Sequence, residues 1–495
     1  MSVEGFGTAA GGSTELGRDA PIPRVAVPAA LAVAVSAAAM IPGQPIGLGV
    51  FLVATGSAIA VSLWRPRELS LNEAILGMWA LALVGMSVVR SAEWLLAFDF
   101  LGAIGLGALA VTGGMTWAEV FGAVPTVVTR SFVAAGFLGR PLAGAAGRLG
   151  RLSPALRGAV LGAGLLAVFG GLFAAADPAF SHLAGQVLFP EWDLSLLPAR
   201  ILVFGVVLLG IVSLAAAGPR YMVARGAVLS PAPRRGLVRL EWAVALGLLD
   251  LLFAAFVAVQ IAVLFGGRDH VLRTAGLTYA EYARQGFFQL VAVAALTLGV
   301  VAGGVRWSRL QRAADRRLLQ ALLGLLSVLT LVVLVSALRR LLLYEETFGF
   351  TRLRVSVHAT ILWLGALFIL ILVGGVLWKG RWLPRACVIL TATGLLLFSL
   401  ANPDRLVAEQ NVQRYRATGE FDLAYAAGLS PDAVPAFDSL PAWLRDCALQ
   451  PHADLRRDQD SVLGWNLARE RARRVLTSQG MPSCRIPSGA PARGF

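Results

Sequence analysis

Charged side chains are concentrated in one short stretch that lies between two long apolar runs. This stretch, Leu341 to Val355, reads LLLYEETFGFTRLRV. Its candidate functional residues, with two arginines that directly precede it, are Arg339, Arg340, Tyr344, Glu345, Glu346, Arg352 and Arg354. Carboxylates beside arginines could act as an acid or base on a substrate, or could form ion pairs that join the flanking helices. Because a turn at Gly349 can bring the glutamates near the last two arginines, we favour an ion-pair clamp.

Two further segments place charged residues at the ends of apolar runs. Asp177 lies in the sequence DPAF after one run, and the sequence YAEYARQGFF leads into another. In the second segment, Glu281 and Arg284 are spaced i, i+3 and therefore share one helix face. We group these three residues with the first stretch as candidates for a functional or structural polar cluster.

Two aspartates stand inside apolar runs, where an ionisable side chain is costly. Asp250 lies about eight residues into its run, or roughly 12 Å deep at 1.5 Å per residue, and Asp99 is shallower. Two interpretations stay open for these residues. In the first, the aspartate is part of a proton or cation relay. In the second, it is a buried carboxyl that either pairs with an arginine or carries a proton.

The motifs of common enzyme chemistries are absent from the sequence. It contains no GxxxxGK[ST] phosphate loop, GxSxG elbow or HExxH, and no pair of CxxC motifs that could hold zinc. The four histidines are scattered without ligand spacing. We therefore predict no catalytic residue, no metal site and no cofactor, and we favour a protein that is not an enzyme.

Composition defines the class of protein. Of 495 residues, 57% are hydrophobic and only 15% are charged, and the mean hydropathy is +0.72. A water-soluble domain is nearer half apolar and a quarter charged. The net charge of +14 comes mostly from arginines that flank apolar runs, which orient membrane helices, so we predict no nucleic-acid partner.

The apolar runs predict an all-α, polytopic bundle of about 11 transmembrane spans. We expect a disordered tail over residues 1–24, the transmembrane domain over 25–401 and a small soluble helical domain over 402–495. The predicted spans are 25–41, 46–64, 74–90, 94–112, 158–176, 200–218, 242–265, 286–305, 318–338, 355–377 and 384–401. The first run could instead be a cleaved signal peptide, and Trp117 to Leu138 reads as an interfacial helix.

Arginines alternate along the chain in a way that predicts the threading. They are dense in every second connection, for example at 306–317, and sparse in the others. Since positive charge collects on the cytoplasmic side, we predict a cell-membrane protein with a cytoplasmic N-terminus and an extracytoplasmic C-terminal domain. In that oxidising compartment, a disulfide between Cys447 and Cys484 is slightly favoured over two free thiols.

Several segments, taken in order, resemble a family of bacterial multi-pass membrane proteins. They are DPAF, TYAEYARQGFFQL, LYEETFGFTRLRV, ANPDRLVAEQNVQRY, LAYAAGLSPDAVPAF and WNLARERARRVL. The family carries only the label of a domain of unknown function, numbered forty-one seventy-three, and the similarity covers about residues 70–478. It implies an inner-membrane protein with a helical C-terminal extension, and it implies no activity.

Three functions stay open. We favour an envelope scaffold, sensor or assembly factor that contacts the lipid bilayer and, through its C-terminal domain, an envelope protein. The alternative is an ion-coupled transporter that uses Asp250, although the chain lacks a clear internal repeat. A weaker alternative is a membrane enzyme on lipid-linked substrates, with Glu345, Glu346 or Asp177 as acid or base. The oligomeric state is not encoded in any motif.

Overall fold

The computed structural model describes residues 25–64, 70–113, 116–129, 196–217, 237–265, 287–377, 380–457, 459–479 and 483–485. Within these residues the chain is all-helical, and the only extended pairing is a single bridge between Leu237 and Ser308. This agrees with the predicted fold class. Asp177, Glu281, Arg284 and the predicted span 158–176 lie outside the described residues.

The first eleven described helices form the apolar part of the chain. They are α1 (Ala26–Met40), α2 (Leu48–Leu63), α3 (Leu71–Val89), α4 (Glu93–Thr112), α5 (117–129), α6 (Leu197–Ala216), α7 (Arg239–Phe265), α8 (Phe287–Trp307), α9 (Ala313–Phe348), α10 (Arg352–Leu377) and α11 (Leu383–Ala401). Eight of these described helices are long and apolar enough to cross a membrane, while α1 and α2 are apolar but shorter. The chain is therefore a membrane-embedded helical protein, and the count of about eleven spans stays a prediction.

Helix α9 is the packing centre of one half of the bundle, where it contacts α7, α8 and α10. Its buried residues recur every three or four positions, so they form one stripe along the helix. They include Leu319, Leu323, Leu326, Thr330, Val333, Leu334, Ala337 and Leu341. The opposite face exposes Leu325, Val328 and Val335, which suits contact with lipid.

The structure differs from the prediction at the end of α9. We expected this span to end near residue 338 and the following charges to lie in a connecting loop. The helix instead continues to Phe348 and ends at Gly349, whose φ of 76° lies in the left-handed region. The intervening residues are mostly good helix formers and include no proline or glycine, so nothing stops the helix earlier. Arg339, Arg340, Glu345 and Glu346 are therefore helical residues.

Five more helices follow at the C-terminal end and share a core of their own. They are α12 (Pro403–Thr418), α13 (Leu423–Ala427), α14 (Val434–Phe437), α15 (Ala442–Leu449) and α16 (Leu467–Gln479). Phe437, Leu444, Val412 and Leu476 are among the buried side chains of this core. The domain boundary at residue 402 stays a prediction, but these helices pack mainly on one another and on the ends of α3, α10 and α11.

Local signals explain where the C-terminal helices begin and end. Asn402 caps the start of α12, because its side chain accepts from the Arg405 N–H at 3.3 Å. Gly419 ends α12 with a φ of 75°. Helix α16 begins at Leu467, since the Asn466 side chain accepts from the Ala468 and Arg469 N–H groups.

Candidate functional site

The C-terminal helices meet the membrane helices at a group of buried and half-buried polar residues, which we call the polar junction. Its members are Arg90, Asp99, Arg352, Ser399, Asp404 and Asp432. They come from the ends of α3, α10 and α11, the interior of α4 and the beginnings of C-terminal helices. The junction thus joins segments that are distant in sequence.

Asp404 is the most completely satisfied carboxylate of the junction. Arg352 donates to both of its oxygens, from Nε to Oδ1 at 2.7 Å and from Nη2 to Oδ2 at 2.6 Å. Trp94 Nε1 also donates to Oδ1 at 3.2 Å, and the Ser430 N–H donates to Oδ2 at 2.9 Å. Burial by itself raises the pKa of Asp404, but the Arg352 and Ser430 donors outweigh it, so its pKa lies below the ordinary value. Asp404 is therefore a fixed anion and a poor acid or base.

Arg90 and Asp432 form the second ion pair, with 3.6 Å between Arg90 Nη1 and Asp432 Oδ1. Burial lowers the pKa of Arg90, while Asp432 opposes that shift. Arg90 also donates from Nε to the Ser399 carbonyl at 2.7 Å and from Nη2 to the Leu400 carbonyl at 2.6 Å. These carbonyls belong to the last turn of α11, where backbone carbonyls have few helical N–H partners. Arg90 thus caps the end of α11 and also binds the C-terminal segment that contains Asp432.

Asp432 also serves as an N-terminal cap for α4, although it lies far away in sequence. Its Oδ2 accepts from the Ser91 N–H at 2.7 Å, from Ser91 Oγ at 2.8 Å and from the Ala92 N–H at 3.2 Å. The start of a helix has unpaired N–H groups and a partial positive charge, so a carboxylate is stabilised there. The turn between α3 and α4 therefore needs the C-terminal segment for its hydrogen bonds.

Asp99 is fully buried in α4 and contacts a serine. Ser399 Oγ lies 2.8 Å from both of its carboxyl oxygens. A hydroxyl has one proton to donate to them. A protonated carboxyl would donate back to Ser399 Oγ and complete a two-bond exchange. An ionised carboxylate would accept a shared hydrogen bond from the same hydroxyl at these distances, so both interpretations of Asp99 stay open.

Asp250 has a different environment from Asp99. It is 4% exposed, and neither carboxyl oxygen has a hydrogen-bond partner among the described residues. It lies on α7, which packs against α9. Both interpretations of Asp250, an ion-relay group or a buried neutral carboxyl, therefore stay open.

The charged stretch at the end of α9 is held by contacts other than those predicted. We expected its glutamates to pair with Arg352 or Arg354 across the Gly349 turn. Glu345 Oε1 instead lies 3.3 Å from His358 Nδ1, and Arg352 pairs with Asp404, so the clamp as predicted is wrong for these two residues. Arg354 donates to the Gly349 carbonyl, and its guanidinium carbon lies 4.3 Å from the centre of the Tyr344 ring.

The other predicted residues of this stretch lie apart from the polar junction. Arg340 Nη2 donates to Gln260 Oε1 at 2.9 Å, which joins α9 to α7. Arg339 is exposed on α9, and Glu346 lies in the last turn of that helix.

Cys447 and Cys484 are joined in a disulfide that ties the segment around residue 484 to α15, with 4.3 Å between their Cα atoms.

Asn411 and Asn466 are tertiary connectors that the sequence analysis missed. Asn411 Oδ1 accepts from the Phe350 N–H and its Nδ2 donates to the Phe350 carbonyl, both at 2.9 Å, so it fixes the α9–α10 turn to α12. Asn466 caps α16 and donates from Nδ2 to the Ser87 and Arg90 carbonyls at 2.8 and 2.7 Å. An asparagine before a helix start is a recognisable cap signal, but its second partner is not visible in the sequence.

The described residues define a class: a multi-pass helical membrane protein whose C-terminal helices are anchored on the ends of its membrane helices. Among these residues, no group of three or more His, Cys, Asp or Glu side chains could hold a metal ion. The sequence model of one family, the domain of unknown function DUF4153, matches residues 78–440. The chain belongs to this family, so the family number given by the resemblance was wrong, although the kind of family was right. No curated protein and no solved structure matches the chain significantly.

Proposed function

We propose that the protein is a membrane scaffold, sensor or assembly factor whose C-terminal helices bind an envelope protein. The observation that supports this proposal is the polar junction, in which Asp404 has four hydrogen-bond donors. Satisfied buried charges of this kind favour one fixed arrangement over several. A C-terminal unit fixed in this way suits the presentation of a constant surface to a partner.

We place the C-terminal helices on the extracytoplasmic side and the N-terminus in the cytoplasm. The Cys447–Cys484 disulfide supports this placement, because disulfides persist in oxidising compartments. The alternation of arginines along the sequence supports the same orientation.

Labelling of intact cells tests the orientation. A membrane-impermeant maleimide should modify a cysteine introduced by Val462→Cys and should not modify one introduced by Gln311→Cys, in the connection between α8 and α9. Both positions are exposed polar-region sites, so the side of the membrane is the difference between them. The opposite labelling pattern would overturn the proposed sidedness.

Complementation tests the function. In a strain that lacks the protein and has envelope defects as a result, the Asp250→Asn variant should correct those defects. A chain that ends at Ala401 should not correct them. A scaffold needs the C-terminal surface and does not need an ionisable group at residue 250. If the truncated chain complements as well as the full chain, the scaffold proposal fails.

A second candidate is an ion-coupled transporter that uses Asp250. The observation that favours it is the buried Asp250 carboxyl without a described hydrogen-bond partner, since such a group in a membrane helix commonly serves an ion path. In this case, the Asp250→Asn variant should reach the membrane in normal amounts and fail to complement. The same experiment therefore separates the two candidates.

A further inference from the structure

A group of exposed arginines lies at the end of the bundle opposite the C-terminal helices. We call them the arginine surface, and its members are Arg239, Arg306, Arg309, Arg312, Arg316 and Arg317. They lie at the start of α7, the end of α8 and the start of α9. The 36 residues of α9 span roughly 54 Å at 1.5 Å per residue, and its other end meets α12 through Phe350 and Asn411.

Backbone pairing brings these three helix ends together. The Leu237 N–H donates to the Trp307 carbonyl at 2.9 Å, and the Arg309 N–H donates back to the Leu237 carbonyl at 3.1 Å. This pairing places the residues before α7 beside the connection from α8 to α9. The arginines therefore occupy one surface and are not scattered over separate loops.

Among the described residues of this region there are two carboxylates, and both are engaged locally. Asp315 Oδ2 accepts from the Gln311 and Arg312 N–H groups at 3.2 and 3.0 Å, and its Oδ1 lies 3.3 Å from Arg239 Nη1. Glu241 Oε2 accepts from the Val238 N–H at 2.8 Å. Six arginines against two carboxylates leave a strong positive excess on the arginine surface.

The arginine surface lies at the depth of lipid phosphates. The apolar part of α9 runs from Leu318 to Leu338 and is about 30 Å long, which matches the hydrocarbon core of a bilayer. Arg316 and Arg317 directly precede it, so they stand at the boundary. Beside them, Trp307, Val305 and Leu240 are 61%, 65% and 75% exposed. Tryptophan is typical of the headgroup level, and the two aliphatic side chains can contact acyl chains.

We propose that the arginine surface binds the headgroups of anionic phospholipids, with Trp307, Val305 and Leu240 against the adjoining acyl chains. Guanidinium groups present paired donors that match phosphate oxygens, and exposed membrane-surface arginines attract anionic lipid. This site is separate from the polar junction and does not depend on the scaffold role. It would bind such lipids selectively from the mixture that surrounds the bundle.

Lipid titration of the full-length protein in neutral detergent tests the proposal, with bound lipid counted by native mass spectrometry. The site variant combines Arg306→Gln, Arg312→Gln and Arg317→Gln. The matched control removes the same charge from exposed arginines at the other end, with Arg416→Gln, Arg471→Gln and Arg474→Gln. At about fivefold per arginine, the site variant should bind phosphatidylglycerol roughly 100-fold more weakly than the wild type, while the control stays near wild type.

Headgroup and salt dependence give outcomes that do not require the triple variant to fold. Wild-type protein should bind phosphatidylcholine of the same chain length weakly, and rising salt should weaken its binding of phosphatidylglycerol. Equal binding of the two lipids, or equal losses in the site and control variants, would overturn the proposal. If inorganic phosphate stabilises the wild type against heat as strongly as the lipid does, the ligand is a free phosphate and the lipid assignment is wrong.

Discussion

At the residue scale, the pair formed by Arg352 and Asp404 holds the first C-terminal helix to the start of α10. Asp404 is fully buried, whereas the Arg352 side chain is 32% exposed. The Asp404 carboxylate also binds Trp94 of α4 and the Ser430 N–H, so one side chain joins three parts of the fold. The polar junction therefore depends on a carboxylate that stays ionised.

Asp404→Asn should destabilise the protein by about 2–3 kcal/mol, because it leaves the Arg352 guanidinium without its buried counter-charge. Glu409→Gln is a suitable control, since it removes a carboxylate of the same helix whose pair with Arg405 is largely exposed. That change should cost less than about 0.5 kcal/mol. Thermal and denaturant unfolding in detergent measure the loss of stability in each variant. Equal losses in the two variants would contradict the role of Asp404.

The cost of Asp404→Asn should also depend on pH. The folded chain lowers the pKa of Asp404, so the unfolded chain binds its proton more tightly. The stability from this group is present above the ordinary value of 3.8 and is lost as pH falls through the lower folded value. The difference between wild type and variant should be constant above about pH 5 and shrink below it. A difference that grows in acid would contradict the sign of the pKa shift.

The same substitution at Asp99 distinguishes a neutral carboxyl from an ionised one. If Asp99 is neutral, an asparagine can donate to Ser399 Oγ and accept from it, so Asp99→Asn should change stability by less than about 1 kcal/mol. An ionised Asp99 would instead lose a charge-assisted bond. A loss as large as that of Asp404→Asn in the same unfolding assay would show that Asp99 is charged in the folded protein.

At the scale of elements, the turn between α1 and α2 fits closely against the segment that precedes α16. The Leu48 N–H donates to the Trp465 carbonyl at 3.1 Å, and the Gly49 N–H donates to the Leu463 carbonyl at 2.7 Å. These bonds satisfy the first N–H groups of α2, which no side chain caps. A Cβ at Gly47 would lie 2.5 Å from two backbone carbonyl oxygens, so only glycine fits this contact.

Gly47→Ala should therefore displace the segment that precedes α16 at a cost of about 1–3 kcal/mol. Gly77→Ala is the matched control in α3, because a Cβ there meets no atom within 4 Å. Hydrogen exchange at Leu48 and Gly49 should accelerate in the first variant and stay unchanged in the second. Unchanged protection in both variants would contradict the contact.

The sequence predicted the elements better than their contacts. Apolar runs of membrane length located the helices that span 197–216 and 383–401 within a few residues, because lipid requires continuous helical hydrogen bonding. Hydropathy alone does not predict the extension of α9, because arginines and glutamates end the apolar run although these residues are good helix formers. The partners of Arg352 and Glu345 were also missed, because both depend on tertiary packing that no local spacing encodes.

At the scale of the whole molecule, several connections between the apolar helices lie at the same end of the bundle. The α1–α2 turn contacts the segment before α16, the α3–α4 turn binds Asp432, and the α9–α10 turn binds Asn411. Helices that alternate in direction bring every second connection to one side. The C-terminal helices bridge these connections and fix them relative to one another.

The most direct test is whether the C-terminal helices lie on the bundle in native membranes. Ser461 Oγ lies 2.5 Å from Gln44 Oε1, so Gln44→Cys combined with Ser461→Cys should form a disulfide under mild oxidation. Trp307→Cys combined with Ser461→Cys is the control, because residue 307 belongs to the opposite end. We predict that mass spectrometry finds the linked peptides in most molecules of the first variant and in few of the second. Little linkage between residues 44 and 461 in properly inserted protein would contradict the docking of the C-terminal helices.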